Sequence, residues 1–137
     1  MIVRNSRGHI RWEALFFAII DDDEALRSSL ADLMRSMGYR TESFASAEVL
    51  LTSHNLTLFD GMIADVHMPG MSGLDLVRKL REVNIMTPVM LITALTDRQL
   101  DNEAISVGAQ SLLRKPFETK ALLDCVARSL SNERPPR

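Results

Sequence analysis

Four apolar runs in the chain each end on a residue type that phosphate chemistry can use. Phe16 to Ile20 ends on Asp21 and Asp22, Gly61 to Ala64 on Asp65, Val89 to Ile92 on Thr93, and Ser111 to Arg114 on Lys115. In an open α/β sheet, ligands sit beyond the carboxyl ends of the strands, so side chains at four such ends converge on one crevice. Carboxylates, a hydroxyl and an ammonium gathered there suit a divalent cation with a phosphoryl group beside it.

Each member alone has a plainer reading. Asp21-Asp22-Asp23-Glu24 places acids where a helix N-terminus favours them, for the dipole and for capping free amides, and this accounts well for Asp23 and Glu24. It accounts poorly for two carboxylates at the exit of a buried strand, where like charges repel unless a cation sits between them. Asp65 follows Met62-Ile63-Ala64 at the rim of the sheet, where a lone charge is costly; its other reading is a turn aspartate preparing Met68-Pro69-Gly70. Lys115 either reaches a bound anion or snorkels at a strand end. Thr93 by itself is an ordinary strand residue. Their joint placement lifts these residues above their separate readings.

The elements that must position them alternate strand and helix five times. Phe16 to Ile20 is a continuous apolar run of strand length, suited to a strand covered on both faces. Glu24 to Met37 carries Leu26, Leu30, Leu33, Met34 and Met37 on one helical stripe, with Gly38 at the C-terminal cap. Arg40 to Phe44 alternates as an edge strand does, and Ser46 caps a helix over Ala47 to Ser53. Asp60 to Ala64 is the third strand; Met68-Pro69-Gly70-Met71 is a turn; Ser72 with Asp75 forms a capping box for a helix to about Val83. Pro88 opens the fourth strand. Thr96 with Gln99 forms a further capping-box pattern, leading a helix that closes at Gly108. Gln110 to Arg114 is the last strand, and Glu118 to Leu130 the last helix. Five such units imply a parallel sheet with helices on both faces.

Bulk properties bound the answer. At 137 residues the chain is one ordinary domain able to bury its own core. It is 46% hydrophobic and 25% charged, with a formal net charge of −2, so it lacks a basic footprint and no direct nucleic-acid binding is expected. Most of the eight methionines lie on apolar stripes or in apolar strands, which reads as core filling. The single cysteine, Cys125, lies at helical spacing from Leu122 and Val126, as a buried structural thiol would, and this usage fits a reducing cytosol. Arg4, Arg7 and Arg11 precede the apolar run from Ala14 to Ile20, as in a signal peptide, but the run ends on acids with no small-residue cleavage site. No run approaches the ~20 apolar residues of a membrane span. Residues 1–14 read as a flexible polar extension, 15–131 as the domain, and 132–137 as a tail or the start of a linker.

Over roughly Phe16 to Leu130 the chain resembles the receiver domain of bacterial two-component response regulators. The segments that carry the resemblance are Ala18 to Asp23, Asp65 to Gly73, Ile92-Thr93-Ala94 and Lys115-Pro116-Phe117. All four occur in order at the right strand ends. The resemblance implies a flavodoxin-like, doubly wound five-stranded parallel sheet of order 2-1-3-4-5 with five helices. It implies that Asp65 is the phosphoryl acceptor and that the cofactor is Mg²⁺. Asp22, Asp65 and the backbone carbonyl of His67 would ligate the ion, with Asp21 acting through coordinated water. Lys115, the Thr93 hydroxyl and the Ala94 amide would meet the phosphoryl oxygens, and Pro116 would follow a cis peptide.

The same resemblance implies a signalling phosphoacceptor that catalyses only its own phosphorylation and dephosphorylation in the cytoplasm, away from any membrane. Its partners would be a sensor histidine kinase or phosphotransfer protein, and a downstream protein or an output domain absent from this chain. The surface of the fourth helix, fifth strand and fifth helix would switch with Thr93 and is where a homodimer would form. Three positions qualify this. The aromatic that swings with the threonine is replaced by Leu112, which has no ring to exchange between inside and outside, and His67 and Leu95 stand where water attack on an acyl phosphate is influenced. Other readings are a pseudo-receiver that only binds partners and an aspartyl-nucleophile phosphatase of the haloacid dehalogenase type, which wants a second acid where His67 stands. A flavodoxin-like cofactor binder would want a phosphate-cradling loop where the chain has acids.

Overall fold

The computed structural model describes residues 14–130 and, ahead of them, the backbone of two short strands, β1 (Val3–Arg4) and β2 (Ile10–Arg11), which pair antiparallel. Apart from those four residues and Ala14, the extension expected over 1–14 lies outside the described residues, as does the tail expected over 132–137.

The remaining strands form one parallel sheet. They are β3 (Phe16–Ile20), β4 (Arg40–Phe44), β5 (Gly61–Asp65), β6 (Val89–Thr93) and β7 (Ser111–Arg114), ordered β4-β3-β5-β6-β7. Counted within this sheet, that is the expected order 2-1-3-4-5. The connections are α1 (Glu24–Ser36), α2 (Ala47–Leu51), α3 (Gly73–Glu82) and α4 (Gln99–Val107), and α5 (Thr119–Leu130) follows the last strand.

Period-two alternation splits the core into two layers. Ala18, Ile20, Met62, Ala64, Val89 and Leu91 face Leu50, Leu76, Leu80, Leu100 and Ala104 of α2, α3 and α4. Phe17, Ile19, Ile63, Met90 and Ile92 face Leu30, Met34, Leu122 and Val126 of α1 and α5. Both faces are covered, which is why β3 and β6 read as unbroken apolar runs. Edge strand β4 differs: Arg40 is exposed and lies over the Phe16 ring at 4.6 Å, while Phe44 is buried. Cys125 is buried, and so are Met34, Met62, Met68 and Met90. Met37 leaves the stripe expected for it, because α1 ends at Ser36 and Met37, the capping residue, stands 50% exposed.

The helix starts follow local chemistry in three cases and depart from it in one. Asp23 accepts from the Leu26 amide at 3.2 Å and Ser46 from the Val49 amide at 3.1 Å. Ser72 and Asp75 exchange both bonds of the capping box. The box expected from Thr96 and Gln99 does not form. Arg98 at the cap position already has helical dihedrals and makes no side-chain cap, and the Gln99 amide donates to the Asp97 carboxylate at 2.9 Å. Gly108, at φ +96°, closes α4 as expected.

Gly73, the first residue of α3, lies against the backbone of Asp65 at the end of β5. A methyl group there would lie 2.5 Å from the Asp65 carbonyl oxygen and 2.9 Å from Leu91 Cδ2. Backbone cannot yield as a flexible side chain can, so Gly73→Ala is expected to destabilise the domain by about 1–3 kcal/mol. A lowered urea midpoint with an unchanged slope is the measurement that checks it.

Candidate functional site

The buried strands deliver their terminal polar residues to one edge of the sheet. The Asp21 amide still donates to Phe44 O at 3.1 Å, so this residue continues the β3 ladder and is only 2% exposed. Its Oδ1 accepts from the Asp23 amide at 2.9 Å, and its carbonyl accepts from Arg27 of α1 at 2.6 Å. Burial pushes the Asp21 carboxyl up from its ordinary 3.8 to about 6. The Asp23 amide works against that, while the negative charges of Asp65 and Asp22 add to it and Lys115 subtracts. Asp22, one residue on, is exposed.

Asp65 is the last residue of β5, one position beyond the expected strand end. Its Oδ1 accepts from the His67 amide at 2.9 Å and its Oδ2 from Lys115 Nζ at 3.0 Å, which fixes the carboxylate between a turn amide and an ammonium. The Asp65 side chain is 12% exposed and that of Lys115 27%, so the pair lies at the rim, reachable but partly shielded from water. Beyond Asp65 the chain turns through Gly70, at φ +78°, and the Gly73 amide returns to Val66 O at 2.9 Å, which sets α3 under the loop. His67 is exposed; its amide is committed to Asp65.

Thr93 ends β6, wholly buried, with Oγ1 accepting from the Leu95 amide at 3.1 Å. Its carbonyl accepts from the Lys115 amide at 2.7 Å, so the β6–β7 ladder is what carries Lys115 to Asp65. The Lys115–Pro116 peptide is cis. Ala94 is exposed at the start of the following loop. Leu112 is partly buried against the layer containing α3 and α4.

The structure thus brings Asp21, Asp65 and Lys115 into one electrostatic group, with the Asp22 charge felt by it and Thr93 one strand over. Among the described residues, no three or more His, Cys, Asp or Glu side chains are grouped so as to hold a metal ion by themselves. Two contributors escaped sequence reasoning. Arg27 and Arg114 both donate to backbone carbonyls around the site. The available signal for Arg114 was a cation ending an apolar strand on the same alternate positions as Leu112.

A family model described as the response regulator receiver domain matches residues 17–127. The response regulator protein TodT of Pseudomonas putida is 37% identical over 122 residues, covering 89% of this chain and 54% of TodT. The crystal structure of FixJ-N matches with a TM-score of 0.79 at 29% identity, over 90% of this chain and 99% of that one. The chemotaxis protein CheY4 of Vibrio cholerae matches with a TM-score of 0.77 at 29% identity, over 85% and 99%. The chain spans about half the length of the curated relatives it matches. Among the described residues no helix is long and apolar enough to cross a membrane.

The raised Asp21 carboxyl gives a signed pH dependence. Between its ordinary 3.8 and about 6 the native state holds a proton that the unfolded chain has released. This contribution to stability is therefore fully present below about 4 and is lost as pH rises through about 6. Asp21→Asn retains an oxygen for the Asp23 amide and removes the titration. Without divalent cations, the variant is expected to match wild type near pH 4 and to exceed it at pH 7.5 by on the order of 2 kcal/mol. Urea unfolding of both proteins across that range is the measurement.

Proposed function

The chain belongs to the response regulator receiver domain family of two-component systems, and from that membership we propose that it takes a phosphoryl group on Asp65 from a sensor histidine kinase or phosphotransfer protein in the cytoplasm. The observation that carries the proposal is the Asp65 carboxylate, held by the His67 amide and Lys115 Nζ at the C-terminal edge of the sheet beside Asp21 and Asp22. An Asp65 oxygen forms a bond to phosphorus as the bond from phosphorus to the donor's imidazole nitrogen breaks, and that nitrogen keeps the electron pair. Most of the work is positioning and neutralisation of charge.

Mg²⁺ fits the donor set, which offers only oxygen. The ion takes one or two carboxylates and keeps several waters, so an open rim suits it without an all-protein cage. Asp22, Asp65 and the His67 carbonyl would hold it, with Asp21 behind them through water. When bound, it neutralises phosphoryl oxygens that the carboxylates would otherwise repel. Lys115 steadies the same charge from the other side. The Thr93 hydroxyl and Ala94 amide then serve the phosphoryl group, and Thr93 leaves its bond with Leu95 to do so. That movement shifts a population of states in which α4, β7 and α5 present an altered surface to a downstream partner or output segment. With Leu112 in place of a ring, β7 reports the change by a route other than an aromatic swing.

Incubation with acetyl phosphate and Mg²⁺, followed by intact-mass measurement, tests this. One phosphoryl group is expected on wild type, none on Asp65→Asn, and none without Mg²⁺. An unmodified wild type that still folds would instead make the chain an interaction module that works without phosphorylation, and steady phosphate release from varied phosphoesters would make it a phosphatase.

A further inference from the structure

Leu112 and Arg114 occupy alternate positions of β7, and Leu112 packs against the core layer that includes α4. Arg114 therefore lies on the same side of the strand, and in the sheet register it is the partner of Thr93. Its guanidinium reaches across to the loop that follows Thr93. Nη1 donates to the Leu95 carbonyl, and Nη2 donates to the Asp97 carbonyl at 2.9 Å and to the Asp101 carboxylate of α4 at 2.8 Å. The Arg114 side chain is 31% exposed and that of Asp101 50%, so the ion pair alone contributes little. The planar fork matters more, because it fixes two loop carbonyls, those of Leu95 and Asp97, and the first turn of a helix whose N-cap residue Arg98 makes no side-chain cap.

The loop shape it fixes is the one that occupies Thr93. With the Leu95 carbonyl turned to Arg114, the Leu95 amide points back to Thr93 Oγ1 at 3.1 Å. Thr93 is free to turn toward a group on Asp65 only when Leu95 lets go, and Leu95 is held from its other side by Arg114.

We infer that Arg114 is a positioning residue that latches the Ala94–Arg98 loop and α4 in the resting arrangement and so restrains phosphorylation of Asp65. The inference rests on the reading of Asp65 as the acceptor. It names a polar connection between the site and α4, two residues from the position where Leu112 offers no ring. A neutral side chain at 114 frees the loop and moves the population toward the arrangement in which Thr93 is available. The compact ammonium of Arg114→Lys cannot reproduce the fork and should also release it.

The test uses the full chain as wild type, Arg114→Met, Arg114→Lys and Asp101→Asn. Two readouts are taken: amide hydrogen exchange over residues 95–103 without phosphodonor, and the initial rate of phosphorylation by acetyl phosphate with Mg²⁺. Arg114→Met should exchange faster over 95–103 with the rest of the sheet unchanged. It should also be phosphorylated about fivefold or more faster, the low end of a usual coupling between sites. Asp101→Asn, which removes one of the three contacts, should show a smaller change in the same direction. Unchanged exchange over 95–103, or faster exchange with an equal or slower rate, overturns the latch while leaving the acceptor reading in place. A wild type that takes no phosphoryl group overturns the acceptor reading and the latch with it.

Discussion

Parallel pairing of strands buried on both faces is the constraint on which the rest of this structure depends. Once α1 and α5 cover one face and α2, α3 and α4 the other, no position inside β3, β5 or β6 can carry a charge. Polar side chains are confined to the strand ends. Because the strands all run the same way, their carboxyl ends lie on one edge, and Asp21, Asp65, Thr93 and Lys115 meet there without any motif having to be contiguous. Gly73 shows how close the packing is, since the helix that follows Asp65 approaches the strand at a distance only a missing side chain allows.

The edge so formed is electrostatically loaded. Asp21 is nearly as buried as the apolar residues before it, and it sits within reach of two further carboxylates. Lys115 supplies a positive charge, but it reaches the group through one oxygen of Asp65. A site that concentrates negative charge in partly dry surroundings favours a cation, and after it a group that the cation can hold. The pull toward protonation at Asp21 comes first from its burial and then from the neighbouring carboxylates, a crowding that a bound cation would relieve.

Arginine has a recurring part in holding the chain at both ends of the sheet, Arg27 and Arg114 at the edge that carries the site and Arg81 and Arg40 at the opposite one. Arg27 donates to the Asp21 carbonyl, Arg81 to Ile85 and Gly108, Arg114 to Leu95 and Asp97, and Arg40 to Ala14. Each case brings a long side chain from a helix or strand to a carbonyl at the end of an element or in a loop. Such carbonyls have no ladder partner, and a planar cation with several donors satisfies them from a distance that a serine or asparagine cannot span. The fork of Arg114 therefore holds the loop ahead of α4 through its carbonyls, whereas the capping box of Ser72 and Asp75 holds the start of α3 through its amides.

Whatever depends on local periodicity was legible in the chain alone. Apolar runs, helical stripes, the capping residues Asp23, Ser46 and Ser72, and the turn glycines fixed five strands and five helices to within a residue or two, because each follows from neighbours within one turn or one strand. The site residues were legible for the same reason: a polar residue that ends a buried strand is visible as a break in an apolar run. What tertiary structure decided is whatever joins elements distant in sequence. The cap of α4 moved from Thr96 to Arg98, and its loop is pinned by Arg114 from a strand that comes later in the chain. The degree of burial that raises Asp21, and the pairing of Lys115 with Asp65 across fifty positions, likewise exist only when the sheet has formed. Spacing specifies which side chains reach the edge; only packing sets how dry that edge is and which loop a long cation can reach.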